Sequence, residues 1–313
     1  MIAYALRRLA SLVVVMALVG ICVFMLLHLA PGDPAAIIAG DNASPAQIAA
    51  IRKNLGLDDT IFVQFWRWAT AVLSGDFGVS IFSNAPVGML IMQRLEPTVS
   101  LTLATLLFAV PSALLLGVLS AWMVGTTIDR MAMAVSVLGF AAPTFVVGYV
   151  MIYVFAITLK WLPVQGYAPF ANGIGDWARH LVLPALTLGL AYVALIARIT
   201  RATMLDVLSE DYIRTAKAKG VETRSVLMKH ALRNAGVPVV TVIGIGIALL
   251  IGGVVVTETV FNIPGIGRLV VDAISKRDYP IIQGVILVFS AVYVIINLLV
   301  DLSYTLIDPR IRY

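Results

Sequence analysis

The chain is poor in the residues that catalytic and redox sites draw on. It has a single cysteine, Cys22, which sits inside an apolar stretch, cannot form an internal disulfide and reads as core packing. Its three histidines, His28, His180 and His230, are far apart, and no H-E-x-x-H pair for zinc occurs. There is no G-x-x-x-x-G-K-S/T phosphate loop, which excludes ATP hydrolysis by the usual glycine cradle. Gly244 and Gly246 lack the third glycine and the preceding strand that a dinucleotide site requires; with Gly252 and Gly253 they read as small residues for close helix packing. Charge is scarce too, at 12% of residues against 60% hydrophobic, with mean hydropathy +0.98. That is more apolar surface than one soluble core needs, so the solvent is a bilayer and the chain an all-α integral membrane protein.

What is present is a set of long apolar runs. A spanning helix needs roughly 20 apolar residues, because about 1.5 Å per residue must cover a hydrocarbon core of about 30 Å. Six runs qualify: Leu9 to Leu29, Thr98 to Val124, Met133 to Leu159, Leu181 to Ala197, Gly236 to Val260 and Ile281 to Ile307. The first reads as a retained span rather than a cleaved leader, since no small-residue cleavage pattern precedes the Pro31-Gly32-Asp33-Pro34 turn. The fourth is the shortest and contains Pro184. Pro111, Pro143 and Pro184 each remove a helix hydrogen bond and can kink their helices.

The cations set the orientation. With the amino end in the cytoplasm, 13 of the 22 Lys and Arg residues fall in the short inner segments, including Arg7, Arg8, Arg130 and eight between Arg198 and Arg233. Both termini are therefore expected inside, and the net charge of +5 is topological rather than a nucleic-acid footprint. The long outer loop carries two helix signals: Ser44-Pro45 as cap and first position before Ile48, Ile51 and Leu55, and then Phe62, Phe65, Trp66 and Ala69. These helices either lie at the membrane surface or cover the bundle. Trp66, Trp68, Trp161 and Trp177 fall near outer interfaces and read as anchors.

The polar segment from Arg198 to Ala235 is the sharpest interruption of the apolar pattern. Arg214, Thr215 and Ala216 lie in a helix-compatible stretch; Gly220 offers a break where a positive φ costs little; Thr223 can cap a second helix running to about Arg233. In that helix Val226, Leu227 and Ala231 can form an apolar face while Arg224, Lys229 and Arg233 stay solvated. The bland alternative is an ordinary positive inner loop.

Residues 209–220, Ser-Glu-Asp-Tyr-Ile-Arg-Thr-Ala-Lys-Ala-Lys-Gly, followed by His230-Ala231-Leu232-Arg233-Asn234-Ala235, resemble the cytoplasmic EAA loop of bacterial ABC importer permeases, especially those of dipeptide, oligopeptide, glutathione and nickel systems. The resemblance extends along nearly the whole chain, through Gly75-Asp76-Phe77-Gly78, the stretch Glu258-Thr259-Val260-Phe261-Asn262-Ile263-Pro264-Gly265-Ile266-Gly267, Arg277-Asp278-Tyr279-Pro280 and Asp308-Pro309-Arg310. Arg214-Thr215 stand where many permeases have Glu-Ala, and Arg233 where they have the loop's proline; the peptide-type branch shares these substitutions.

The resemblance implies a type I permease fold in the bacterial inner membrane, with residues 1–97 forming a first span plus outer loop and residues 98–313 a five-helix core. It implies a second homologous permease, two cytoplasmic ATPases that hold the ATP and magnesium, and an extracytoplasmic binding protein, with no cofactor on this chain. It places the ATPase contact on Arg214, Thr215, Ala216, Lys217, Gly220, Val221, Thr223, Val226, Leu227, His230 and Arg233. ATP-driven closure of the ATPases would move this knob, and the attached helices would open the pathway outward.

Three further polar residues lie in or at the ends of apolar runs. Glu258, near the outer end of the fifth, is either a gate or pathway residue or a structural hydrogen-bonding group. Asn297 and Asp301, one turn apart in the sixth, are candidates for pairing across helices and, with Glu258, for a gate or pathway role. A different class remains in view: an ion-coupled secondary transporter, in which Glu258 or Asp301 would be the coupling carboxylate.

Overall fold

In a bilayer each backbone amide must be paired within its own segment, and the apolar runs accordingly become helices. The computed structural model describes residues 2–29, 35–36, 44–54 and 56–307. Among these the architecture is all-helical; the one bridge outside helices pairs Val79 with Pro86. Pro31-Gly32-Asp33-Pro34, Leu55 and Asp308-Pro309-Arg310 lie outside the described residues. The chain divides into two compact units, Met1–Arg94 with Leu269–Val294, and Leu95–Arg268 with Ile295–Tyr313.

The first unit contains α1 (Ile2–Leu29), α2 (Pro45–Asn54), α3 (Ile61–Leu73), the start of α4 (Val87–Trp122), most of α11 (Ile266–Lys276) and the first part of α12 (Tyr279–Ile307). Helix α2 opens with a reciprocal cap: the Gln47 amide donates to Ser44 Oγ at 3.3 Å and the Ser44 amide donates to Gln47 Oε1 at 2.8 Å. Two motifs distant in sequence meet in this unit. Ser80 Oγ donates to Asp278 Oδ2 at 2.6 Å and the Ile81 amide to Asp278 Oδ1 at 3.3 Å, with both side chains buried. The Gly75-Asp76-Phe77-Gly78 turn is thereby fixed beside the Arg277-Asp278-Tyr279-Pro280 helix start. Cys22 does not pack in a core; it is exposed on α1, a helix apolar all round, whose composition gave no facing information.

The second unit holds the rest of α4, then α5 (Thr127–Ala141), α6 (Thr144–Thr158), α7 (Ile174–Leu208), α8 (Asp211–Ala218), α9 (residues 223–234), α10 (Gly236–Val260) and the end of α12. Helix α7 is its axis. It packs on α5, α6 and α10, burying Leu181, Leu183, Leu188, Tyr192 and Ile196 against Leu101, Ala109, Ile152, Leu250 and Val254. The run that looked weakest in sequence is thus the most enclosed helix, with Pro184 accommodated inside it. Close approach explains the small residues of α10: a side chain at Gly244 would meet Val300, at Gly246 Tyr192 and at Gly253 Leu188, whereas Gly252 faces open space.

Four described helices are long and apolar enough to cross a membrane: Val87–Trp122, Ile174–Leu208, Gly236–Val260 and Tyr279–Tyr304. The third apolar run is not one continuous helix. It breaks between Ala141 and Thr144, and its halves are bent by 106°. The cause is Pro143, which drives the preceding Ala142 out of the helical region to ψ 129°. Counting this pair as one span gives five, and α1 adds a shorter apolar helix, Ala10–Leu26.

Candidate functional site

The polar segment after α7 folds into a helical hairpin. Helix α8 has only eight residues, too few to be stable alone in water. Docking supplies what propensity cannot. Ile213 of α8 and Val226, Leu227 and Ala231 of α9 are buried with Val118 and Ala121 of α4, Met204 of α7 and Val239 of α10. Full burial of Ile213 contributes roughly 1.5–3 kcal/mol to that docking. The Asn234 side-chain amide donates to Tyr212 Oη at 2.9 Å and to the His230 carbonyl at 2.7 Å, cross-linking the two arms.

The turn explains the four-residue spacing between Ala216 and Gly220. The Val221 amide donates to the Ala216 carbonyl at 3.2 Å and the Gly220 amide to the Lys217 carbonyl at 3.0 Å, the paired bonds of a Schellman motif. That motif needs a left-handed residue at its second-last position, and Gly220 has φ +77°. Thr223 does not cap α9: it is the first helical residue, the cap position belongs to Glu222, and no side-chain cap bond forms. Residues Val226–Ala231 widen into a π-helix, a form concentrated at functional positions.

The expected coupling residues divide by exposure. Arg214, Thr215, Lys217, Gly220, Thr223 and Arg233 are exposed; Ala216, Val221 and His230 are half-buried; Val226 and Leu227 face the core. The first set is open to solvent on the hairpin, and the last packs beneath it. Arg214 also pairs with Asp211 at 3.2 Å, an exposed pair of little energetic value.

A second anchor went unread in the sequence. Arg201, on α7 above the hairpin, makes a two-pronged contact with Asp129 of α5: Nε donates to Oδ1 at 2.6 Å and an Nη to Oδ2 at 2.8 Å. The Gly125 amide donates to Asp129 Oδ2 at 2.9 Å, and Thr126 Oγ1 caps the same turn by accepting from the Asp129 amide. Asp129 is almost fully buried, so this pair fixes the α4–α5 turn to the helix that carries the hairpin.

At the other end of α10, Glu258 is completely buried. Thr98 Oγ1 donates to its Oε1 at 2.6 Å and the Arg268 amide to its Oε2 at 2.9 Å, while the Ile266 amide donates to Thr98 Oγ1 at 2.8 Å. The loop after α10 wraps this carboxylate so closely that any Cβ on Gly265 would overlap it. Asn297 and Asp301 are half-buried one turn apart on α12; nearby, Thr241 and Tyr304 share a hydrogen bond of 2.9 Å that links α10 to α12.

A further strap holds the loop before α7. Glu96 Oε1 accepts from Tyr167 Oη at 3.0 Å and from the Phe170 amide at 2.9 Å, and Trp177 Nε1 donates to Ser100 Oγ at 3.2 Å. Burial pushes the Tyr167 phenol above its ordinary pKa.

Comparison with known proteins accounts for this arrangement. Residues 113–313 match the family described as binding-protein-dependent transport system inner membrane component, and residues 1–102 match the N-terminal model of the same systems. The chain is 58% identical over 310 residues to the probable peptide ABC transporter permease protein y4tP of Sinorhizobium fredii, covering 99% of each. It is 45% identical over 313 residues to the glutathione transport system permease protein GsiC of Salmonella paratyphi A and 44% identical to GsiC of Escherichia coli K12, covering 100% of each chain. In fold it is similar to a chain of the inward-facing MetNI methionine ABC transporter, with TM-score 0.58 at 17% identity, over 70% of this chain and 97% of that one. The chain therefore belongs to the binding-protein-dependent transport system inner membrane components, as a multi-pass ABC transporter permease subunit of the inner membrane.

Proposed function

We propose that this permease forms the translocation pathway for peptides or similar small solutes delivered by an extracytoplasmic binding protein, with import driven by two partner ATPases that hold ATP and magnesium. The relatives named for peptide and glutathione transport support the solute class. In this reading six spans place both termini in the cytoplasm, residues 1–97 supply the first span and outer loop, and residues 98–313 supply the five-helix core. A second homologous permease completes the pathway. Family membership does not favour a self-sufficient ion-coupled carrier.

The observation that carries the reading is the docked hairpin. Helix α7 leads into α8 and α9 leads through Ala235 into α10, so a displacement at the exposed surface is delivered to two long helices without an intervening flexible linker. Arg214, Thr215, Lys217, Gly220, Thr223 and Arg233 supply the ATPase contact. Ala216, Val221, Val226, Leu227 and His230 support it from behind. Of the three pathway candidates, Glu258 is engaged by the loop around it, which supports a positioning role, and Asn297 and Asp301, half-buried on α12, are left as the path-lining candidates of this reading.

Cross-linking tests the assignment. With Cys22→Ser as background, Lys217→Cys in native membranes should cross-link to an ATPase subunit, with a yield that changes on trapping with MgATP and vanadate. A complex that co-purifies intact yet gives no ATPase adduct from Lys217 or Thr223 would refute it.

A further inference from the structure

Helix α3 is apolar over more of its circumference than its packing uses. At about 100° per residue, Ile61, Phe65, Trp68 and Val72 fall on one side, and Phe62, Trp66, Ala69 and Leu73 on the adjoining side, together a sector of roughly 160°. The first side is seated on α1. Phe24 stacks against Phe65 at 5.3 Å and Trp68 at 5.6 Å, Trp68 lies against Gly20, and His28 shares a 3.1 Å hydrogen bond with Gln64. On the second side Ala69 is half-buried, but among the described residues its large side chains are left open: Phe62 is 82% exposed, Trp66 70% and Leu73 87%.

The depth of this stripe identifies its surroundings. The apolar run of α1 from Leu9 to Leu29 is about 30 Å long at about 1.5 Å per residue, the thickness of a hydrocarbon core. Gly20, Phe24 and His28 therefore stand about 14, 8 and 2 Å inside the end of that run. A helix held against them lies within the outer leaflet, running from the acyl–headgroup boundary at His28 towards the midplane at Gly20, so an open apolar side of it faces acyl chains. The polar side of α3 is turned back on its own preceding loop: Gln64 donates to the Leu57 and Asp59 carbonyls at 3.0 and 2.8 Å, and Arg67 pairs with Asp59 at 2.6 Å.

We propose that α3 is a membrane-embedded helix of the outer leaflet whose Phe62, Trp66 and Leu73 stripe faces lipid acyl chains. The helix thus anchors the outer loop in the bilayer beside the first span, and its occupant is lipid rather than another protein. The proposal rests on the six-span reading, in which α1 crosses the membrane.

The test uses the complete complex in nanodiscs of phosphatidylethanolamine and phosphatidylglycerol. On the Cys22→Ser background, nitroxide labels are placed at Phe62→Cys, Leu73→Cys, Arg67→Cys and Val14→Cys, all at exposed positions, so little packing is lost. Collision with oxygen and with a water-soluble nickel chelate is then measured. Labels at Phe62 and Leu73 should favour oxygen over the chelate several-fold, as the label at Val14 does, whereas Arg67 should favour the chelate. If Val14 is in lipid but Phe62 and Leu73 collide with the chelate as freely as Arg67, α3 stands in water and the proposal fails alone. If Phe62 and Leu73 are immobilised and shielded from both reagents, a protein covers the stripe and lipid is the wrong occupant. A chelate-accessible Val14 would overturn the six-span reading and the proposal with it.

Discussion

Replacing Ile213 with alanine removes the one fully buried side chain of α8. Buried Ile-to-Ala changes cost about 2–5 kcal/mol. The hairpin sits at the edge of the bundle and can partly collapse, which favours roughly 2–3 kcal/mol, the lower part of that range. Since about 1.4 kcal/mol is a factor of ten, the undocked hairpin should become roughly 30- to 150-fold more populated. Hydrogen exchange of the complex in nanodiscs reads this directly, because amides of residues 213–221 exchange through local opening. Their protection should fall by that factor while amides in the middle of α7 and α10 keep theirs, and nucleotide hydrolysis should lose its dependence on the binding protein. Arg214→Ala is the control: it lies on the surface, should change stability by less than about 0.5 kcal/mol, and should weaken ATPase retention without altering exchange. Unchanged protection in Ile213→Ala would refute the argument that docking, rather than local helix propensity, holds the coupling surface.

Two other outcomes follow from the anchors. Asp129→Ala leaves Arg201 half-enclosed without its partner and should cost roughly 2–3 kcal/mol, below the 3–5 typical of a fully buried pair because Arg201 retains some solvent; a thermal unfolding midpoint equal to wild type would count against the anchor, and the Asp129→Ala, Arg201→Leu double variant should regain part of the loss. Gly265→Ala should displace the Glu258 carboxylate and sharply lower the amount of assembled complex, whereas Glu258→Gln, which keeps the shape and one acceptor oxygen, should assemble and show faster exchange only at the Ile266 and Arg268 amides. Equal exchange at those amides in Glu258→Gln would mean that the carboxylate does not organise the loop.

Much of this was legible because local rules govern it. The Gly220 turn follows from the need for a positive φ after Ala216-Lys217-Ala218-Lys219, and the burial of Val226, Leu227 and Ala231 follows helical spacing. What escaped depends on partners remote in sequence or on the absence of contrast. Asp129 and Arg201 are 72 residues apart, and neither stands out from an ordinary membrane-edge charge. The 106° break at Pro143 interrupts a stretch with no charged residue to mark it, so a proline that reads as a kink ends the helix instead. Helix α7 looked marginal because tolerance of Pro184 depends on neighbours that sequence cannot supply. The outward placement of Cys22 and the free stripe of α3 share one reason: where the apolar part of a helix is wider than a single contact face, periodicity cannot tell lipid from protein.

The most direct measurement is gentle purification of the tagged chain from its native membrane, followed by native mass spectrometry of the wild type and Ile213→Ala. A wild-type assembly holding two ATPases and two permeases, with ATPase occupancy lowered but not abolished in Ile213→Ala, is the predicted result. A stable homomer without ATPases that transports in liposomes under an ion gradient would contradict the account.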